Sequence, residues 1–126
     1  VKNRFNDLIF AINQRDAVAW SKYYSNDDFV SAIVSTDYYA SRTVFVDSIT
    51  TFFSKRERRH VEPLEIRVCE LAPDLALLTS EDKAEMLPGS GQHIKAKHVF
   101  TMVWKKEPNG WKIVHSHESW VDEKAN

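Results

Sequence analysis

The sequence predicts an α+β fold in which helices cover one face of a mostly antiparallel sheet. Two observations predict it. Up to His60 the apolar side chains recur at helical spacing. After Pro63 the pattern turns to β-branched and aromatic runs broken by Pro73-Asp74, Pro88-Gly89-Ser90-Gly91 and Asn109-Gly110, which are turn signals.

The elements follow in order. Phe5, Leu8, Ile9 and Ile12 stand at i, i+3, i+4 and i+7, the stripe of an amphipathic helix. Asp16 is placed to cap a second, short helix carrying Val18, Trp20, Tyr23 and Tyr24. Phe29 to Ser35 is a short β-prone run after Ser25-Asn26-Asp27-Asp28. From about Thr43 a third helix presents Phe45, Ile49, Phe52 and Phe53. It is expected to end in the basic run Lys55 to His60, where cations suit the negative end of the helix dipole. Four strands complete a meander: Leu64 to Leu71, Leu75 to Met86, Ile94 to Lys106 and Trp111 to Val121. Leu8, Ile12, Trp20, Phe45, Ile49, Phe52, Leu78, Phe100, Met102, Trp104 and Ile113 are the expected core.

At 126 residues the chain fits one domain, 1–126, with room for a real core. Hydrophobic residues form 43% and charged residues 28%, a globular rather than a disordered balance. Seventeen basic side chains against eighteen acidic ones leave a net charge of −1, so neither nucleic acid nor an anionic membrane is expected as partner. Cys69 is the sole cysteine, which forbids an internal disulfide. No apolar run approaches the roughly 20 residues of a membrane-spanning helix. The chain starts at Val1, so a preceding segment (signal peptide, tag or disordered lead) is expected to have been removed, and the compartment is open.

The candidate site comes from strand register. Folding the last hairpin at Asn109 with Trp104 facing Trp111 sets Met102 opposite Ile113, Phe100 opposite His115 and His98 opposite His117. The Pro88–Gly91 turn sets Asp82 opposite His98 and Ser80 opposite Phe100. On that reading Asp82, His98 and His117 form one row across three strands, with Ser80, Phe100 and His115 beside it. A carboxylate next to an imidazole fixes its tautomer and raises its basicity, which suits acid–base chemistry near neutral pH. The bland alternative is a self-satisfied polar row at the wet rim of the sheet. His115-x-His117 has same-face spacing that a metal could use, with His98 and Asp82 completing a set. Phe100 and Trp111 crowd that face and no second ligand pair supports it, so neither metal nor cofactor is expected. The opposite face collects Val99, Thr101, Val103, Val114 and Trp120, interleaved with Lys97, Lys112 and Glu118. Such a patch is expected to make a homodimer.

The signature Thr101-x-Val103-Trp104 … Asn109-Gly110-Trp111-x-Ile113-Val114-His115-x-His117-x-Ser119 resembles the SnoaL-like branch of the nuclear transport factor 2-like superfamily, near the calcium/calmodulin-dependent kinase association domains. Ala11-Ile12-Asn13-x-x-Asp16 and Tyr24-x-x-Asp27-Asp28 extend the resemblance across nearly the whole chain. It implies a cystatin-like cone: a strongly curved sheet wrapped around helices and enclosing a pocket. It also implies homodimers or larger rings. The tyrosine and aspartate of the steroid isomerase relatives fall near Leu8 and Ala32 here, which speaks against that activity. Two arginines of the kinase association domains fall at Asp82 and Met102. Dehydratase relatives use tyrosines with paired histidines, and Tyr24, where the second helix approaches the first strand, is the tyrosine best placed for such a role.

Three functions remain open from sequence. The leading one is a SnoaL-like domain binding a small apolar or weakly polar molecule through Tyr24, Ser80, Phe100 and His115. A second is a hydro-lyase or isomerase using Asp82, His98 and His117. The third is a homo-oligomerisation module.

Overall fold

A computed structural model describes residues 1–55, 58–87 and 94–123. Three helices, α1 (Lys2–Asn13), α2 (Ala17–Ser21) and α3 (Arg42–Ser54), pack on one face of a six-stranded sheet. Its strands are β1 (Ser31–Val34), β2 (Asp37–Tyr39), β3 (Arg58–Ala72), β4 (Leu75–Leu87), β5 (Ile94–Glu107) and β6 (Gly110–Asp122). They lie in the order β2-β1-β6-β5-β4-β3, antiparallel except where β1 runs parallel to β6.

Helix α1 buries the predicted stripe of Phe5, Leu8, Ile9 and Ile12 and leaves Phe10 in solvent. Asn13 at its end docks it onto β3. The Asn13 amide donates to the Val61 carbonyl at 2.9 Å, and the Val61 N–H donates back to Asn13 Oδ1 at 2.8 Å. The Asp16 carboxylate accepts from the Ala19 N–H and caps α2, as its position predicts. Ser41 caps α3 in the same way through the Val44 N–H.

The C-terminal end of α3 differs from expectation. The helix stops at Ser54, Lys55 is already extended, and no basic residue stands in the last turn. Arg58 to His60 instead open β3, where ladder bonds pair Arg58 with Leu87 and His60 with Glu85. Residues 56 and 57 lie outside the described residues. The sheet ladder, with its long-range hydrogen bonds, claims backbone that the local charge pattern assigns to a helix end. Two further elements were not foreseen: the short β2, and the parallel pairing of β1 with β6. Strand β3 lies at the sheet edge, which is where Pro63 can be tolerated without breaking an interior ladder. Two register shifts in β3, between Pro63 and Glu65 and between Glu70 and Ala72, leave Leu64 and Leu71 exposed.

One irregularity decides the chemistry of the concave face. The β5–β6 hairpin closes on Glu107 and Gly110, with Gly110 at φ +117°, a backbone conformation that favours glycine. Trp104 therefore pairs with Ile113, two residues further along β6 than the Trp111 expected. The register then shifts again, because Val103 pairs with His115 and Val114 is an extra residue on β6. Beyond this bulge Met102 faces Ser116, Phe100 faces Glu118 and His98 faces Trp120. The other edge of β6 changes partner at the same point. Ile113 bonds to Tyr23 and Ser25, the Val114 carbonyl accepts from the Val30 N–H, and β1 begins opposite His115.

The core fills the space between α1, α2, α3 and the concave face, with Phe5, Leu8, Phe45, Leu78, Met102 and Trp104 almost wholly buried. Ile49 and Phe52, expected in the core, are half-buried because they border a cavity. Of the expected outer patch, Val99 and Thr101 are exposed and Val103 is half-buried. Val114 is buried in the bulge, and the Trp120 ring stacks against the His98 ring, so both leave the patch.

Candidate functional site

The concave face carries a hydrogen-bonded row of three titratable side chains. His98 Nδ1 lies 2.9 Å from Asp82 Oδ2, and His98 Nε2 lies 2.8 Å from Glu118 Oε2. The Ser80 hydroxyl donates to the same Asp82 oxygen at 3.1 Å, while Asp82 Oδ1 is buried without a hydrogen-bond partner. The side chains of His98 and Asp82 are fully shielded from solvent, whereas that of Glu118 is 14% exposed. Rings fix the imidazole on two sides: Phe100 meets it edge-on at 4.5 Å, and Trp120 stacks nearly parallel at 6.2 Å.

Both imidazole nitrogens face carboxylate oxygens, and each contact needs a hydrogen. A neutral imidazole has one N–H, so the second hydrogen comes either from an imidazolium or from a carboxyl proton. In either arrangement the row holds one shared proton and carries one net negative charge. Such a chain can pass a proton along itself without changing its own charge.

Glu118 connects this row to a cavity of about 310 Å³ between the helices and the sheet. Trp20, Tyr24, Tyr39, Phe53, Phe100 and Trp120 supply aromatic walls, and Leu8, Ile12 and Ile49 add aliphatic ones. Tyr24 is buried, with its hydroxyl 2.9 Å from Ser116 Oγ. Burial pushes the Tyr24 phenol well above its ordinary range. The Ser116 hydrogen bond offsets part of this, and the negative charge of Glu118 adds to it. Tyr24 is therefore a hydrogen-bond donor, not a phenolate, at any physiological pH.

The sequence-derived site is partly assembled. Asp82 and His98 face each other in the expected register. His117 does not join them: the Val114 bulge turns it to the convex face, where it is exposed and paired with Thr101. His115 is turned outward by the same step, and its Nδ1 lies 2.9 Å from Ser31 Oγ, away from the cavity. Glu118, placed on the outer face by strict alternation, turns inward opposite Phe100, the place expected for His115, and supplies the contact to His98 that was expected of His117, while Trp120 stands opposite His98. Tyr24 and Phe100 line the cavity, and Ser80 stands behind Asp82. The signal for the missing step is local. Ile113 and Val114 are adjacent and both buried, where strict alternation would expose one of them. Among the described residues no three carboxylate, imidazole or thiol groups converge as a metal ion requires.

The SnoaL-like domain family matches residues 1–123. The chain belongs to that family. Solved structures agree on the fold. A "putative dehydratase" of the NTF2-like family from Streptomyces avermitilis superposes with a TM-score of 0.81 at 19% identity, covering 92% of this chain and 90% of that one. A nuclear transport factor 2-like superfamily protein from Salmonella enterica gives 0.81 at 18% identity, over 96% and 88%. A "putative calcium/calmodulin dependent protein kinase II association domain" from Xanthomonas campestris gives 0.76 at 18%, over 95% and 84%. At these identities the likeness shows the fold alone. No curated protein matches the chain.

Proposed function

We propose that this SnoaL-like domain binds a small organic molecule in the cavity between its helices and its sheet. The observation that carries the reading is the cavity itself: a mostly apolar, aromatic chamber whose lining also holds the carboxylates of Glu118 and the exposed Asp37, the phenols of the buried Tyr24 and the half-buried Tyr39, and the exposed Lys55. Its volume, about 310 Å³, lies at the small end of the range for ligand pockets and fits a single-ring or compact two-ring molecule. Calorimetric titration with a panel of monocyclic phenols, cyclic ketones and aryl amines tests it. Saturable one-to-one binding is expected for at least one class. Binding should disappear in Ile49→Trp, which fills the chamber from α3. If the filled variant binds the panel unchanged, the cavity is not the site.

A second reading rests on a separate observation, the row behind Glu118. A carboxylate backed by His98 and Asp82 can take a proton from a ligand and spread the change over three groups. The Tyr24 hydroxyl could meanwhile donate to an oxygen on which negative charge develops. That is the equipment of an isomerase or hydro-lyase, the step being abstraction of a proton next to a carbonyl. Deuterium uptake from heavy water at the α-carbon of a bound cyclic ketone, followed by NMR, tests it. Uptake should be catalysed by the wild type and lost in Glu118→Gln. Equal uptake by both proteins would leave the binding role alone.

A further inference from the structure

We propose that His115 and His117 form half of a zinc site on the convex face of the sheet, and that the same pair from a second copy of this chain completes it. The inference stands apart from the cavity and from any molecule bound there.

The register step at Val114 creates the pair. In an unbroken ladder both imidazoles would crowd against Phe100 and Trp111, with little room for an ion. Instead they project from the convex face, two residues apart on β6, with His115 opposite Val103 and His117 opposite Thr101. Phe100 stays buried in the core on the other side, and Trp111 packs against that core. Strand positions two apart are separated by about 6.6 Å. Two nitrogens on one tetrahedral zinc ion lie about 3.3 Å apart. A lean of about 2 Å by each ring closes the difference. His115 is already oriented for this: its Nδ1 lies 3.1 Å from the Ser31 carbonyl oxygen and 2.9 Å from Ser31 Oγ. A carbonyl only accepts, so in the neutral ring Nδ1 carries the hydrogen and Nε2 holds the lone pair. Donation from the remote ring nitrogen to a backbone carbonyl is how metal-binding histidines are held in place.

The surroundings fit a second copy. His117 is exposed, and the neighbours of the pair across the ladder are Ser31, Ile33, Thr101 and Val103, none of them charged. No carboxylate among these neighbours claims the imidazoles, and imidazole is a ligand that suits zinc. One chain supplies two ligands, whereas a closed zinc site takes four. Strand β6 lies inside the sheet, between β1 and β5, so a copy packed face to face meets the pair. Tyr38, which pairs with Ile33, and Val99 are exposed on the same face and give the contact apolar surface. Sheets that cross near a right angle, one of the two usual packings, set the two histidine pairs in perpendicular planes. The four nitrogens then form a tetrahedron on a twofold axis, and the symmetry needs no residue beyond these two.

Sedimentation of the untagged chain over a dilution series, with EDTA or with zinc chloride, tests the site. Zinc is expected to tighten self-association at least about tenfold, because the ion binds paired copies more strongly than a single chain. Zinc retained after gel filtration should amount to one ion per two chains. Cobalt(II) in its place should give the intense visible bands of a tetrahedral site. His117→Ala, at an exposed position, should abolish the tightening, the retained ion and the cobalt bands. His115→Ala should do the same, and if it fails to fold, His117→Ala decides alone. His60→Ala, at an exposed histidine of β3, should change none of the three. One ion per chain with unchanged self-association would overturn the shared site. So would the absence of retained zinc, or tightening that persists in His117→Ala. The response is the difference between zinc and EDTA, so it is read the same way whether or not the metal-free chain already pairs.

Discussion

Replacing His98 by alanine is the perturbation that most directly tests the buried row. His98 separates two carboxylates, one of them fully shielded and the other 14% exposed, and contacts them at 2.9 and 2.8 Å. Removing the imidazole leaves Asp82 with the Ser80 hydroxyl as its remaining hydrogen-bond partner, in a site that water does not reach. Breaking a buried charged pair by deleting one partner costs about 3–5 kcal/mol, largely because the other charge stays buried. A domain of this size has about 5–15 kcal/mol of stability in all, so the variant should be close to marginal. Urea unfolding followed by tryptophan fluorescence reads the loss as a lower midpoint with an unchanged slope. Asp82→Ala in the same background should then cost far less than it does alone. The double variant is expected to fall about 1–3 kcal/mol short of the summed single losses. Replacing both by leucine should recover much of the stability, since apolar groups of similar volume often match a buried pair. A His98→Ala loss below about 1 kcal/mol, or strictly additive single losses, would refute the coupled row.

Other expectations are more local. Asn13→Ala removes both bonds to Val61 and strands a buried backbone N–H and carbonyl, so it should destabilise the fold by about 1–3 kcal/mol, measured by urea unfolding. Tyr24 keeps its proton more strongly in the folded protein than in the unfolded chain. The stability this contributes is fully present below the unfolded phenol range, about pH 10, and is lost as pH rises further. Absorbance at the phenolate band should show one of the four tyrosines ionising only as the protein unfolds, and Tyr24→Phe should abolish that last step. The convex face, with Val99 and Thr101 exposed beside Val103, is expected to hold a homodimer, which Val99→Glu should dissociate in a sedimentation experiment. A wild-type monomer at micromolar concentration would contradict this.

The sequence made the elements legible because periodicity reports burial. Leu8 and Ile12 on α1, and the alternation from Ala96 to Trp104 on β5, mark the same faces in the sequence and in the structure. Asp82 opposite His98 was legible for the same reason, since the residues flanking the β4–β5 connection pair in a continuous register. Glu118 was hidden because one extra residue at Val114 inverts every later side chain of β6. The histidines stand out by residue type, yet that step puts Glu118 opposite Phe100 and Trp120 opposite His98, the places that strict alternation assigns to His115 and His117. The end of α3 was misread for a different reason: its basic run satisfies helix-end electrostatics, but strand pairing across β3 and β4 involves partners that local charge does not report.

The bulge at Val114 has an evolutionary consequence. The same residues paired in an unbroken ladder through Val114 would present the other set of side chains on the concave face. With Val114 paired to Val103, the positions of Ser116 and Glu118 on the concave side would pass to His115 and His117. An acidic chamber would become an imidazole-lined one with no change in any side chain's identity. Homologues aligned without a gap at this point would pair residues from opposite sides of the sheet, so inheritance of a catalytic group along this strand has to be traced by ladder register and not by column.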